Sequence, residues 1–403
     1  METLRPGTSI CIPVYRSAEF VGKALNSASA QTAQDIEILV SVDDGEADPD
    51  TVAVCRDAAA RDPRIRIFVQ NRQLNWTGNV NFLFDRIETE TYSILFHDDY
   101  YDPAYIETLR TAMLSSPEAV LANCDLVWHG HPDSPDDART SRSIAGSPLE
   151  RMLDFLGTND YVASTRGLSA RIVLDRGARF TDRPFDGFAG DAVYRLRLLA
   201  LGGATAVAAP LYNKWFRPGS ITKKWKKWPA ERLREGYVGL AGELALEIDR
   251  LHRDRLIGDD DLAALQTGAR LYALERIRRT EVRDPAMTPL THDEGPLAVP
   301  VLRAAAMIAD MPEAVQPGMR QRLGNILTLE GHRARKRGEL DTALERFEAA
   351  AAQGGDHAPA HAGLAVVRLR SGDRAGALAA AEHALALDSG VGGLEALKRR
   401  FDM

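Results

Sequence analysis

Two pairs of adjacent carboxylates, Asp43–Asp44 and Asp98–Asp99, each follow a strand-like apolar run, Ile36 to Val42 and Tyr92 to Phe96. Open parallel sheets bind ligands outside the carboxyl ends of their strands, which is where both pairs fall if these runs are strands. A carboxylate at such an edge accepts hydrogen bonds from a nucleobase N–H or a ribose hydroxyl. It also suits a hard divalent cation, which prefers carboxylate oxygens and keeps phosphate oxygens among its other ligands. Asp43 is therefore read as a nucleoside contact and Asp98 as a contact to a metal-bound phosphate. Blander roles compete: Asp44–Gly45 suits a plain turn, and Asp99 or Asp102 suits the cap of a helix opened by Pro103.

The elements that must position these residues alternate. Ser9–Val14, Ile36–Val42, Ile65–Val69, Tyr92–Phe96 and Val120–Val127 read as strands, and the stretches between them carry helical patterns. Strand–helix alternation specifies a mainly parallel sheet of the nucleotide-binding type. Two helices are announced by Asp48–Pro49 and Asp102–Pro103, an N-cap residue followed by proline in the first turn. His129 to Ser147 is rich in Pro, Asp, Ser and Gly and reads as a long surface loop. Helical and irregular sequence then continues to Trp228, and a boundary is expected near Pro229, where Ala, Leu, Arg and Glu take over with helical periodicity.

Near the C-terminus, Gly338, Ala343, Phe347 and Ala350 recur 34 residues later as Gly372, Ala377, Ala381 and Ala384. That is the tetratricopeptide period. Two such units cannot form a stable solenoid alone, so they are expected to pack on the helices from Glu231 to Leu329. The expected division is 1–228, an α/β domain; 229–322, helical packing; and 323–403, two tetratricopeptide-like units, with a protein partner or a second copy as the ligand that such repeats would take.

A net charge of −7 argues against a general nucleic-acid binder. The N-terminal residues hold no apolar core of signal-peptide length and no later stretch holds the roughly 18 apolar residues of a membrane span, so a cytoplasmic protein is the simplest expectation. Cys11, Cys55 and Cys124 lack metal-type spacing and read as reduced and inert.

The ordered blocks Ser9–Tyr15, Ala30–Gln31–Thr32, Ile38–Gly45, Asn75–Asn81 and Phe96–Asp99 resemble glycosyltransferase family 2, the large group of inverting enzymes with the GT-A fold, over roughly the first 225 residues. The resemblance implies a nucleotide-sugar donor (UDP-, GDP- or dTDP-linked) in contact with Pro13, Tyr15, Asp43, Asp44, Asn75 and Asn79. It implies Mn2+ or Mg2+ on the donor diphosphate, with Asp98 as the second acidic residue of the family's Asp-X-Asp motif and Asp99 beside it. Phe96 stands at the motif's first acidic position. His97 would point to the opposite face from Asp98 if the strand continues.

Gly190–Asp191 and the helix that follows look like the family's acidic motif, with Asp191 in the place of the catalytic base and Gly190 where a second acid usually stands. A helix N-cap is the plainer role for Asp191. Pro210 to Ile221 resembles the family's closing segment, with Arg217 at the position of a frequent histidine. An arginine there could pair with a phosphate and partly replace a weakened metal site. Lys214, Arg217, Lys223, Lys224, Lys226 and Lys227 lie in a stretch without acidic residues, interleaved with Trp225 and Trp228. Such a run suits a solvated surface or a lid over the donor equally, and contact with the inner membrane face less well.

The implied activity is transfer of a sugar to an acceptor hydroxyl on a glycan, a lipid-linked glycan or a protein, with the acceptor against the stretch from Ser147 to Asp186. Two rivals stand beside it. A nucleotidyltransferase would want a glycine-rich phosphate loop, which Arg16 to Glu19 does not supply, and a degenerate scaffold would draw support from Phe96 and Gly190. High Ala and Arg content points to a bacterial source.

Overall fold

The computed structural model describes residues 7–130, 137–158, 164–185, 187–217, 221–284, 287, 301–354 and 357–391. It divides into two compact units: 1–151 with 160–226, and 152–159 with 227–403.

In chain order, the first part of the molecule runs β1 (Thr8–Val14), α1 (Val21–Ser29), β2 (Ile36–Val42), α2 (Pro49–Arg61), β3 (Ile65–Val69), α3 (Asn75–Phe84), β4 (Thr91–Ile94), β5 (Tyr100–Tyr101), α4 (Tyr105–Leu114), β6 (Ala119–His129) and β7 (Asp137–Arg139). It continues with α5 (Pro148–Gly157), β8 (Leu168–Ala170), α6 (Ile172–Asp175), α7 (Asp191–Leu201), β9 (Gly203–Trp215) and α8 (Ile221–Lys226). The strands form a single mixed sheet in the order β3-β2-β1-β4-β8-β6-β9-β5, with β7 paired to β6. β1 to β4 are mutually parallel, β8 runs antiparallel between β4 and β6, and β9 returns parallel to β6. β1 and β2 are almost wholly buried, as their β-branched runs require of strands covered on both faces.

Several elements depart from the expectation. β4 ends at Ile94, and residues 97 and 98 lie in a turn. The α4 helix starts at Tyr105, because the Asp102 carboxylate first takes the Ala104 N–H (3.0 Å) in a local turn. Part of the stretch expected as a loop is sheet: β6 runs to His129, β7 follows, and Ile144 bridges to Ala204. Residues 203–215, expected as helical or irregular, form the 13-residue strand β9. Its register against β6 shifts between the pairs Cys124↔Val207 and Leu126↔Tyr212, so four residues including Pro210 bulge out. Proline donates no ladder hydrogen bond, which accounts for a bulge at this point. Past it, Lys214 pairs with Trp128 and Trp215 with His129.

The second unit contains α9 (Ala230–Arg253), α10 (Asp259–Arg283), α11 (Val301–Ala309), α12 (Gln316–Lys336), α13 (Leu340–Ala351), α14 (Ala358–Arg370) and α15 (Arg374–Leu387), together with 152–159, which begins with the last turns of α5. The residues of α5 in this unit insert Leu153 and Leu156 against Gly268 and Met319. The period of 34 is carried by the backbone: Gly338 and Gly372 both adopt positive φ (+82° and +87°) where α12 and α14 give way to α13 and α15. Ala343, Phe347 and Ala350 are fully buried, as are Ala377, Ala381 and Ala384. This unit also buries charge. Glu281 accepts from Arg278 (2.6 Å) and Arg333 (2.7 Å), and Glu275 from Arg279 (2.5 Å), Asn325 (3.2 Å) and the fully buried Arg322.

Candidate active site

The ends of β1, β2 and β4 meet where the sequence places its carboxylates. Asp43 follows β2 with its backbone N–H bonded to the Val14 carbonyl (2.8 Å), and its buried carboxylate takes the Leu74 N–H (2.5 Å). Burial pushes its pKa up despite that bond. Asp44 has φ +51° and lies 3.9 Å from the Arg16 guanidinium, which in turn sits 5.2 Å from the ring centre of Tyr15. Asn75 opens α3 at φ +63°. Asn79 is buried and donates its amide to the Val14 and Ser41 carbonyls (3.3 and 3.1 Å), so it ties α3 to the ends of β1 and β2. That leaves its amide nitrogen engaged on backbone, away from the donor contact expected of it.

At the end of β4 the turn replaces the alternation of a strand, and His97 and Asp98 converge where opposite faces were expected. Arg217 donates Nε to Asp98 Oδ2 (2.9 Å) and an Nη to His97 Nε2. His97 Nδ1 lies 3.1 Å from the Pro13 carbonyl, an acceptor only, so Nδ1 carries the proton and Nε2 is the acceptor facing Arg217. Burial holds the His97 pKa down, in keeping with a neutral ring. For Asp98, burial raises the pKa, but the charge and hydrogen bond of Arg217, with the charge of Arg166 behind it, bring it below the ordinary carboxylate range. Arg217 also lies over the ring of Phe20 at 4.4 Å.

Asp99 is engaged on every side. Its Oδ2 accepts from Tyr212 Oη (2.8 Å) and Arg166 Nε (3.2 Å), and its Oδ1 from the Trp215 N–H (3.0 Å). Burial dominates here and raises its pKa. The Arg166 guanidinium lies over the ring of Phe96 at 4.8 Å. Lys214 places its ammonium over Phe216 (4.7 Å) and Trp128 (5.3 Å), within electrostatic reach of Arg166, Asp99, Asp98 and Asp191. Burial, with Arg166 adding, brings its pKa down to about 7.

Asp191 is the first residue of α7, and its carboxylate accepts from Arg195 one turn on (3.2 Å), whose Nε is held by Ser164 Oγ (2.7 Å). It does not cap the helix: Gly190 precedes it, with no side chain to do so. A Cβ on Gly190 would lie 2.8 Å from the Thr181 carbonyl oxygen, so the backbone itself fills the place of a second acidic side chain. On the approach to α7, Phe188 meets Trp225 edge-on at 5.2 Å, while Lys224 is exposed. The turn 218–220 and the side chains of Lys223 and Lys226 lie outside the described residues.

A parallel-edge site with an acidic residue at the start of a following helix invites comparison with known proteins. Residues 9–174 match the model for "Glycosyl transferase family 2". The N-terminal domain belongs to that family. The transferase domain is similar to an uncharacterized glycosyltransferase of Rickettsia bellii, 32% identical over 146 residues, covering 33% of this chain and 20% of the relative. It is also similar to a Campylobacter jejuni GalNAc(5)-diNAcBac-PP-undecaprenol beta-1,3-glucosyltransferase, 29% identical over 147 residues, 36% of this chain and 44% of the relative. The alignments thus span less than half of these relatives' own lengths. Among solved structures, S. aureus TarS 1–349 in complex with UDP-GlcNAc superposes with a TM-score of 0.54 at 12% identity, covering 84% of this chain and 89% of that one. The mixed sheet followed by helices is therefore the GT-A fold with a helical C-terminal region. No helix among the described residues is long and apolar enough to cross a membrane.

GT-A transferases commonly use a divalent cation, and the residues here do not fit one. Both oxygens of Asp99 are taken by three donors, one Asp98 oxygen is taken by Arg217, and the first acidic position is the ring of Phe96 beneath a guanidinium. Among the described residues no group of three His, Cys, Asp or Glu side chains comes close enough to hold a metal ion. Asp98 and Asp99, expected as metal ligands, are arginine partners instead. Arg166 and Arg195 lie outside the sequence motifs and carry no local signal, and Lys214 belongs to the fixed strand β9 where the sequence suggests a solvated run or a lid.

Proposed function

We propose that this chain is an inverting glycosyltransferase acting on a nucleotide-diphosphate sugar. The observation that carries the reading is the gathering of Asp43, Asp98 and Asp191 around the strand ends of a domain in this family. In the proposed reaction the acceptor hydroxyl oxygen attacks the anomeric carbon from the face opposite the diphosphate. The C–O bond to the diphosphate breaks with its electron pair leaving on phosphate, and the acceptor's proton passes to Asp191. One displacement inverts the anomer. Asp43 and the turn at 74–75 would hold the nucleoside, with Tyr15 and Pro13 beside it. Arg195 bonds Oδ2 of Asp191 and so orients the carboxylate toward the acceptor. Electrostatic stabilisation of the departing diphosphate and general-base help supply the rate.

The S. aureus neighbour's UDP-GlcNAc makes a UDP-sugar the first donor to try, with GDP- and dTDP-sugars next. A glycan, lipid-linked glycan or protein hydroxyl is the acceptor class. The 34-residue helical pairs are proposed as tetratricopeptide-like units open to a protein partner or second copy. The test is single-turnover transfer with Asp191→Asn. A loss of about 10²–10⁴-fold in rate with donor binding retained supports the base assignment. Full turnover by the variant would sink it, and product anomer assignment by NMR decides inversion.

A further inference from the structure

The disagreement between the donor set and a divalent cation has a positive side, because the same residues assemble positive charge. Arg217 is held from two directions, by Asp98 and by His97, and His97 is itself fixed on the Pro13 carbonyl. Its side chain retains 22% exposure, so one face still meets solvent at the strand ends. Lys214 is carried to the same place by the register shift in β9 and is seated on two aromatic faces. Arg166 occupies the space above Phe96 and neutralises Asp99. Three cationic side chains thus face two carboxylates. A dication brought to Asp98 would have to share the carboxylate with a guanidinium anchored at two points, and would sit among cations. A diphosphate brought to the same place meets a surplus of positive charge and planar or rotatable N–H donors matched to phosphate oxygens.

We infer that Arg217 and Lys214, with Arg166 balancing Asp99, hold and neutralise the donor's diphosphate in place of a metal ion, so that this chain binds its nucleotide without a divalent cation. Phe96 then has a function of its own: its ring supports Arg166 where a carboxylate would have drawn a metal. This rests on the reading of the site as a nucleotide-sugar pocket.

The experiment is calorimetric titration of the full chain with UDP, GDP and dTDP, in excess EDTA and again in Mn2+. Affinity in EDTA within about threefold of that in Mn2+ is expected for the nucleotide that binds. Arg217→Met and Lys214→Met should each weaken it in EDTA by about ten- to a hundredfold, the range of a lost charge-assisted phosphate contact. Arg217→Lys, which keeps the charge, should lose less. Asp98→Asn gives the sharpest division. Removing a carboxylate that only positions Arg217 should change diphosphate affinity by the same factor in EDTA and in Mn2+, whereas removing a metal ligand should weaken it at least tenfold in Mn2+ and leave it unchanged in EDTA. Binding that appears only with Mn2+, with the Mn2+ paramagnetic resonance broadened in the protein–nucleotide complex, overturns the inference and leaves the transferase reading intact. Absence of binding to any of the three nucleotides under both conditions removes that reading and the inference together.

Discussion

The molecule buries arginine–carboxylate clusters in both of its units, and they differ in how far they open to solvent. In the helical unit, Glu275 and Glu281 have essentially no exposure and Arg278, Arg322 and Arg333, which bond them, have at most 7%, with only Arg279 reaching the surface. In the transferase domain, Asp98 and Arg217 keep 17% and 22% exposure at the strand ends. A closed cluster fixes how α10 and α12 lie against each other and offers nothing to a ligand. An open one at a sheet edge is arranged for an anion that arrives later. Burial of charge alone does not mark a site; access to it does.

The contrast is broken most directly by Arg322→Met. It takes from Glu275 its one fully buried cation, leaving Arg279 and Asn325, and should cost about 1–3 kcal/mol of unfolding free energy in chemical denaturation. Arg217→Met should cost about 1 kcal/mol or less, because Asp98 can be met by water. Equal costs would mean that the two clusters do the same job. A smaller effect is expected from pH. Burial brings the Lys214 pKa down to about 7, and a bound diphosphate should draw it back up. Below pH 7 the ammonium is already present and affinity is full. As pH rises above 7, binding must take up a proton, and affinity should fall by up to about tenfold per pH unit until the bound pKa is reached. Lys214→Met should flatten that slope, and an unchanged slope would assign it to another group. The smallest effect is expected from Arg195→Gln: a drop of about three- to tenfold in kcat with donor KM unchanged, since it orients Asp191 without touching the donor. A matching fall in donor affinity would make it a donor contact.

What the sequence discloses of this arrangement follows physical rules. β1 and β2 are legible because strands covered on both faces read as mostly apolar runs rich in β-branched residues, and Asp43 is legible as what comes after β2, Asp98 as what comes after β4. β9 is not: it is Ala-rich, contains Pro210, and exists through nine residue pairs with β6, a contact with no local signature. Without β9, nothing local marks Lys214 as a fixed side chain. A period of two continued past β4 puts His97 and Asp98 on opposite faces, and the turn at 97–98 brings them together. The restriction on Gly190 depends on the Thr181 carbonyl nine residues upstream, a distance in space that composition does not carry.

The second unit's claim on residues 152–159 has a consequence for how the chain is made. Met152, Leu153 and Leu156 are fully buried in the finished protein, and Leu153 and Leu156 lie against Gly268 and Met319. A ribosome adding roughly 5–20 residues per second reaches Met319 some 8–32 s after Thr158, so this greasy segment waits uncovered while the rest of its neighbourhood is synthesised. Cutting the gene after the transferase domain would make that wait permanent, and an isolated N-terminal fragment should be expressed with 152–159 removed or made polar if it is to stay in solution.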